Sequence, residues 1–233
     1  MSYELFIGLR YLKAKRKQTF ISVISFISVL GITVGVTALI IVLSVMTGFE
    51  ENLKDKILGV NAHVVVTEIG GGMKDYEGVA SEVKKIPGVV GATPFTYNQA
   101  MISSSGGVIG AIIRGLDTET VGSVTVLPGK IKEGSLEGIN VPFESSSTQS
   151  PAARPGIVIG KELARNIGAG VGDSVNVISP MGTMTPAGPV PRMAVFRVSG
   201  IFEIGMYEYD STLAFISIGN SQRFFRLGDT VNG

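Results

Sequence analysis

The sequence predicts an α+β protein in which one N-terminal transmembrane helix, prolonged outward as a stalk, precedes a β-rich part. Thr19 to Phe49 contains no Asp, Glu, Lys or Arg, and this run exceeds the ~20 apolar residues that a helix needs to cross a bilayer. Past residue 60 the pattern changes to short β-branched runs punctuated by Gly and Pro, the mark of strands and tight turns. Hydrophobic residues make up 45%, charged residues 17%, and the mean hydropathy is +0.37. That is too apolar for a disordered chain and leans towards a membrane component.

The segment 1–18 holds Arg10, Lys13, Lys15, Arg16 and Lys17 against Glu4 alone. Basic residues before the span and Glu50, Glu51 and Asp55 after it put the N-terminus in the cytoplasm by the positive-inside rule, with residues 60–233 outside. A secretory signal has an h-region of only ~7–15 residues. The longer run here, without a small-residue cleavage site, reads as an uncleaved anchor. Before it, Leu5, Phe6, Leu9 and Leu12 accompany basic residues at helical spacing, which fits either an interfacial helix or a solvated basic flank. Within the span, Gly31 and Gly35 form a GxxxG pair that allows close approach of another helix. Phe49, Leu53 and Ile57 continue the apolar spacing, with Gly59 as a stop, so residues 19–59 are expected as span plus stalk. At 1.5 Å per residue such a helix measures roughly 60 Å, about twice the hydrocarbon thickness. A rod of that kind transmits movement.

Beyond the stalk, residues 60–97 read as a βαβ unit, the first half of a membrane-proximal βαβ domain: strands at His63–Glu68 and Val89–Phe95 around a helix at 75–86, broken by Pro87-Gly88. Residues 98–233 read as mostly β. Gln99–Ser103 and Val108–Gly115 flank Ser104-Ser-Gly-Gly107, a hairpin signature. Further strands are expected at Ile157–Ile159, Ser174–Ile178, Ala194–Phe202 and Thr212–Ile218, with a short helix Lys161–Ile167 ended by Gly168. Between Pro142 and Gly156 the composition turns to Ser, Thr, Pro and Gln, a surface loop.

Several chemistries are excluded. With 20 basic against 19 acidic residues there is no global basic field, so no nucleic-acid partner is expected. Cysteine is absent and His63 is the single histidine, which removes disulfides, Cys/His zinc sites and Cys–His dyads. No metal or cofactor is expected in this chain. Gly156-Ile-Val-Ile-Gly160-Lys161-Glu162 fails the P-loop spacing, and Gly168-Ala-Gly170-Val-Gly172 lacks one residue of GxGxxG. His63 reads as a surface or structural residue, and the pairs Glu50/Glu51 and Glu208/Asp210 as solvated faces. No catalytic residue is proposed. Residues 180–192, with four prolines, two glycines and two methionines, are expected as a stiff apolar loop with few amides free for pairing. Such a loop either grasps another protein or tucks against its own domain.

Leu5-Phe-Ile-Gly-Leu-Arg-Tyr-Leu12, Leu30-Gly-Ile-Thr-Val-Gly35, Leu43-Ser-Val-Met-Thr-Gly-Phe-Glu50, Gly156-Ile-Val-Ile-Gly-Lys-Glu-Leu-Ala-Arg165, Val171-Gly-Asp-Ser-Val175 and Gly200-Ile-Phe-Glu-Ile-Gly-Met-Tyr-Glu-Tyr-Asp210 resemble the lipoprotein-releasing ABC permeases of the LolC/LolE type over essentially the whole chain. The resemblance implies a MacB-like periplasmic domain, with a porter-like βαβ part and a β-rich insert. It also implies an inner-membrane permease subunit that lifts lipoproteins from the outer leaflet and passes them to a periplasmic LolA-like chaperone. The partners it implies are a cytoplasmic LolD-like ATPase, which holds the ATP and Mg, and a second permease of LolE type or a second copy. Thr185, Pro186, Ala187, Gly188, Pro189, Val190 and Pro191 correspond to the LolC-type chaperone-catching hook, with Arg192 close by. Family hooks often carry Met where this chain has Ala187. The Thr-Pro-x-Gly pattern favours LolC, or one subunit serving both roles, over LolE.

The family's lipoprotein substrate also singles out Val42, Val45, Met46 and Phe49, which share one helical face. That face either lines an acyl-chain cavity or packs on another span. Family members continue through three more spans, so the chain is expected to lack later spans and the segment that contacts the ATPase. The alternatives are a MacB- or FtsX-type mechanotransmission permease, which lacks the Pro-rich hook, and a single-span anchored binding module.

Overall fold

The computed structural model describes residues 3–13, 19–142, 154–185 and 188–233. The chain forms two compact units, Met1–Lys54 and Asp55–Gly233. The expected polar loop after Pro142 falls largely on residues 143–153, outside the described residues.

In the first unit α1 runs Tyr3–Lys13, and α2 runs Thr19–Val60, its last turn belonging to the second unit. Val23–Lys54 is long and apolar enough to cross a membrane. Ile32, Leu39, Ile40, Val42 and Val45 are all exposed, so α2 is apolar on every side; such a helix meets lipid or partner helices. Thr33 returns its hydroxyl to the Val29 carbonyl at 2.8 Å, which satisfies that polar group without water.

The helix does not stop before Gly59. Gly59 sits inside the last turn, where its carbonyl accepts from Val126 N–H at 2.8 Å, and a Cβ there would lie 2.9 Å from Val126 Cγ2. The glycine therefore serves close approach rather than termination.

The second unit is built on seven strands: β1 Phe95–Ser104, β2 Gly107–Leu116, β3 Ile131–Gly134, β4 Gly156–Gly160, β5 Ser174–Thr185, β6 Gly188–Phe202 and β7 Leu213–Ser217. Their order is β3-β6-β4-β7-β2-β1-β5, and a further β5–β6 ladder closes six of them, β6-β4-β7-β2-β1-β5, into a ring, with β3 paired to β6 outside it. Within the ring each strand is paired on both sides. Ile102, Ile113, Ile157, Ile159, Val177, Phe196 and Ile216 fill one core cluster together with Leu163 and Ile167 of α4 (Lys161–Ile167) and Phe224 of α6 (Ile218–Phe225). A second cluster packs Leu127 and Ile139 on Val158, Phe202 and Phe215. The α4 helix ends as the sequence predicts, Gly168 taking φ 66° while Ala169 N–H returns to the Ala164 carbonyl.

Two expectations change. Helix α3 (Tyr76–Val83) forms, capped by Asp75, but His63–Glu68 and 89–94 are not strands. Val64 and Val90 are 76% and 93% exposed; β-branched residues favour extended backbone, yet a strand exists only where another pairs with it. Residue Asp210 of the supposedly solvated acidic pair is buried on α5 (Tyr207–Thr212). Its carboxylate accepts from Ile204 N–H and Gly205 N–H at 2.9 and 3.0 Å, pinning the turn after β6. Glu208 and His63 are exposed, as expected.

Candidate functional site

The segment 180–192 is a hairpin rather than an irregular loop. Strands β5 and β6 pair through Ser179↔Arg192, then Thr183↔Val190, Met184↔Pro189 and Thr185↔Gly188, with a register shift between Ser179 and Thr183. Proline is tolerated at bulges and hairpin ends where its missing N–H is not needed. At the bulge a Cβ on Gly182 would overlap the Val190 carbonyl oxygen, so only glycine lets the strands approach there. Gly182→Val should disturb the hairpin without unfolding the ring: circular dichroism and melting stay near those of the unsubstituted chain, while amide exchange at Val190 and Arg192 rises. Pro186 and Ala187 lie outside the described residues. Val190 is 52% exposed, Pro191 is exposed and Arg192 is half-buried.

The base of the hairpin is anchored from inside. Positions 194, 196 and 198 of β6 point into the core, and Arg192, on the same side by strand alternation, sets its guanidinium 5.9 Å over the Phe224 ring. Phe224 is fully buried and meets Phe196 and Phe225 edge-on, at 5.9 and 4.8 Å between centroids. Arg192 Nη1 is buried with no hydrogen-bond partner among the described residues. Burial, and then the like charge of Arg226, push the Arg192 pKa below its ordinary value.

On the opposite face of the same strands lies an apolar row. Met193 is 64% exposed and stands opposite Ile178, which stands opposite Met101, itself 44% exposed and opposite Gly110. Beside this row a shallow groove of about 370 Å³ is lined by Gln99, Met101, Gly110, Ile112, Pro180 and Thr212. Reading residues 180–192 alone misses Met101 and Ile178, because the pairing that aligns them is non-local.

In the span, Val42, Val45, Met46 and Phe49 are exposed, between 56% and 68%, and a Cβ at Gly31 or Gly35 would meet nothing within 4 Å. Within the first unit these positions touch no core. Among the described residues no cluster of His, Asp or Glu is placed to hold a metal ion.

This helix and β-rich unit define a class: the chain belongs to the family of MacB-like periplasmic core domains, which it matches over residues 25–232. It is similar to the lipoprotein-releasing system transmembrane protein LolC of Neisseria meningitidis serogroup B, 36% identical over 232 residues, covering 100% of this chain and 53% of that protein. LolC of Xylella fastidiosa is 39% identical over 227 residues, 97% of this chain and 52% of its own length. The corresponding LolE of Haemophilus influenzae is 23% identical over 229 residues, 96% and 52%. The chain spans about half the length of these relatives. The resemblance to the LolC/LolE permeases read from the sequence is thus borne out, with the β-rich part as the periplasmic domain.

Proposed function

We propose that the chain belongs to the permease subunit of an ABC transporter that releases lipoproteins from the inner membrane and hands them to a periplasmic chaperone. The observation that carries the reading is the β5–β6 hairpin: Thr183–Thr185 pair with Gly188–Val190, Arg192 anchors the base over Phe224, and Val190, Pro191 and the adjoining Met193 are exposed. It stands in a chain 36% and 39% identical to two LolC proteins. A stiff strand pair loses little entropy on docking, and exposed Met adapts to a partner's surface. Thr185 to Arg192 are the chaperone-catching hook, and the Met193–Ile178–Met101 row is the surface against which the captured chaperone rests.

The subunit catalyses nothing itself. A LolD-like ATPase in the cytoplasm supplies ATP hydrolysis with Mg, and a LolE-like permease or a second copy completes the membrane part. Depleting the protein in its host tests the reading: lipoproteins destined for the outer membrane then accumulate in the inner membrane. Unchanged lipoprotein sorting on depletion contradicts it.

Residues 1–18 are cytoplasmic and 60–233 periplasmic, from the basic flank and uncharged span. With an impermeant thiol reagent and a permeabilised outer membrane, Lys85→Cys, an exposed position, is labelled and Ser2→Cys is not; the opposite pattern reverses the orientation. Val42, Val45, Met46 and Phe49 face the lipoprotein's acyl chains, and photo-crosslinkers at these positions trap lipoprotein before ATP is added. Crosslinks to the partner permease alone assign the face to helix packing, the role also given to Gly31 and Gly35.

A further inference from the structure

Directly after the last turn of α2, Asn61 uses both ends of its amide. Its Oδ1 accepts from Arg114 Nη1 at 3.1 Å, and its Nδ2 donates to the Tyr209 hydroxyl at 3.1 Å. Arg114 lies on β2 and Tyr209 on α5, so one side chain ties the end of the helix to two elements 53 and 148 residues away.

Arg114 is not placed by an ordinary ion pair. Among the described residues no carboxylate lies within salt-bridge distance of it; the Phe95 ring lies 5.2 Å from the guanidinium carbon, and Tyr97 and Tyr209 are near enough to act on its charge. Burial pushes its pKa down. A half-buried cation held by a neutral amide among aromatic rings, with no carboxylate partner among the described residues, is a costly way to hold a fold together. It marks a joint: the end of a helix, with its partial negative charge, favours a cation beside it, and the amide of Asn61 carries that contact to both β2 and α5. The backbone bond from Val126 to the Gly59 carbonyl fixes the neighbouring turn.

From Arg114 a path of paired strands leads to the hairpin. Arg114 stands opposite Tyr97 on β1, β1 pairs with β5 at Met101↔Ile178, and β5 pairs with β6 up to Ser179↔Arg192 and, past the bulge, from Thr183↔Val190 to Thr185↔Gly188.

We propose that Asn61, through Arg114 and Tyr209, is the positioning residue that couples the end of α2 to the β5–β6 hairpin. The proposal rests on the transporter reading above. Its test measures the hairpin directly: hydrogen exchange at 183–185 and at the Gly188, Val190 and Arg192 amides in the complete transporter, reconstituted with its ATPase and partner permease, with and without ATP. The unsubstituted chain changes protection there on ATP addition. Asn61→Ala lowers that ATP-dependent change about tenfold, a coupling of ordinary size, while basal ATP hydrolysis stays within about twofold. Asn61→Asp restores it, because Arg114 and Tyr209 can both donate to a carboxylate. Tyr209→Phe, which removes a single oxygen, gives a partial loss and carries the test if Asn61→Ala does not accumulate.

An unchanged hairpin response in Asn61→Ala overturns the proposal, as do no response in the unsubstituted chain, no rescue by Asn61→Asp, or a parallel fall in ATP hydrolysis. Lipoprotein release by the unsubstituted transporter, measured separately, tests the underlying reading independently.

Discussion

Val190→Glu, and Pro189→Glu beside it, weaken capture of the periplasmic chaperone about thirtyfold or more while the chain melts as before. Val190 is 52% exposed and pairs with Thr183 near the end of the hairpin. An exposed substitution away from core and caps changes stability by no more than about 0.5 kcal/mol, so folding is spared. Loss of a central apolar anchor in an interface costs ~2 kcal/mol or more, and at 1.4 kcal/mol per decade that gives the stated weakening. Titration of the full chain with purified chaperone reads the effect. Unchanged affinity in a normally melting variant removes the hook assignment and the preference for the LolC role over LolE. Met193→Asp separates hook from row: it lowers affinity less, since the exposed Val190 and Pro191 of the hook still engage the chaperone.

Phe224→Ala is the most destabilising single change expected in the second unit. The ring is fully buried, meets Phe196 and Phe225 edge-on and underlies the Arg192 guanidinium. Truncating a buried Phe costs about 3–5 kcal/mol, which for a domain of this size lowers Tm by roughly 10 °C. The hairpin loses its footing at the same time, so chaperone affinity falls even at temperatures where the variant is folded. A Tm within about 2 °C of the unsubstituted protein contradicts the assignment of Phe224 as the keystone beneath the hairpin.

Local signals were legible where the cause is local. The uncharged run marks α2, Ser104-Ser-Gly-Gly107 marks the β1–β2 turn, and Gly168 marks the end of α4. What depends on distant pairing was not. Four prolines in 180–192 argue against a ladder until the bulge at Gly182 and the glycine opposite Thr185 are seen to accommodate one. The parallel pairs β2–β7 and β4–β6 join segments about a hundred and about forty residues apart, and no spacing rule announces them. Asp210 looks solvated beside Glu208 until the chain folds the Ile204 and Gly205 amides onto it. Asn61 carries no motif at all; its role follows only from where Arg114 and Tyr209 arrive.

The central claim is tested most directly by reconstitution: the complete permease in proteoliposomes loaded with a triacylated lipoprotein, with its ATPase and partner permease, and soluble chaperone outside. ATP is expected to move lipoprotein into a soluble complex with the chaperone, and Val190→Glu to block this transfer while ATP hydrolysis continues. ATP hydrolysis by the unsubstituted transporter with all lipoprotein left in the membrane, at chaperone concentrations well above those of the lipoprotein, would contradict it.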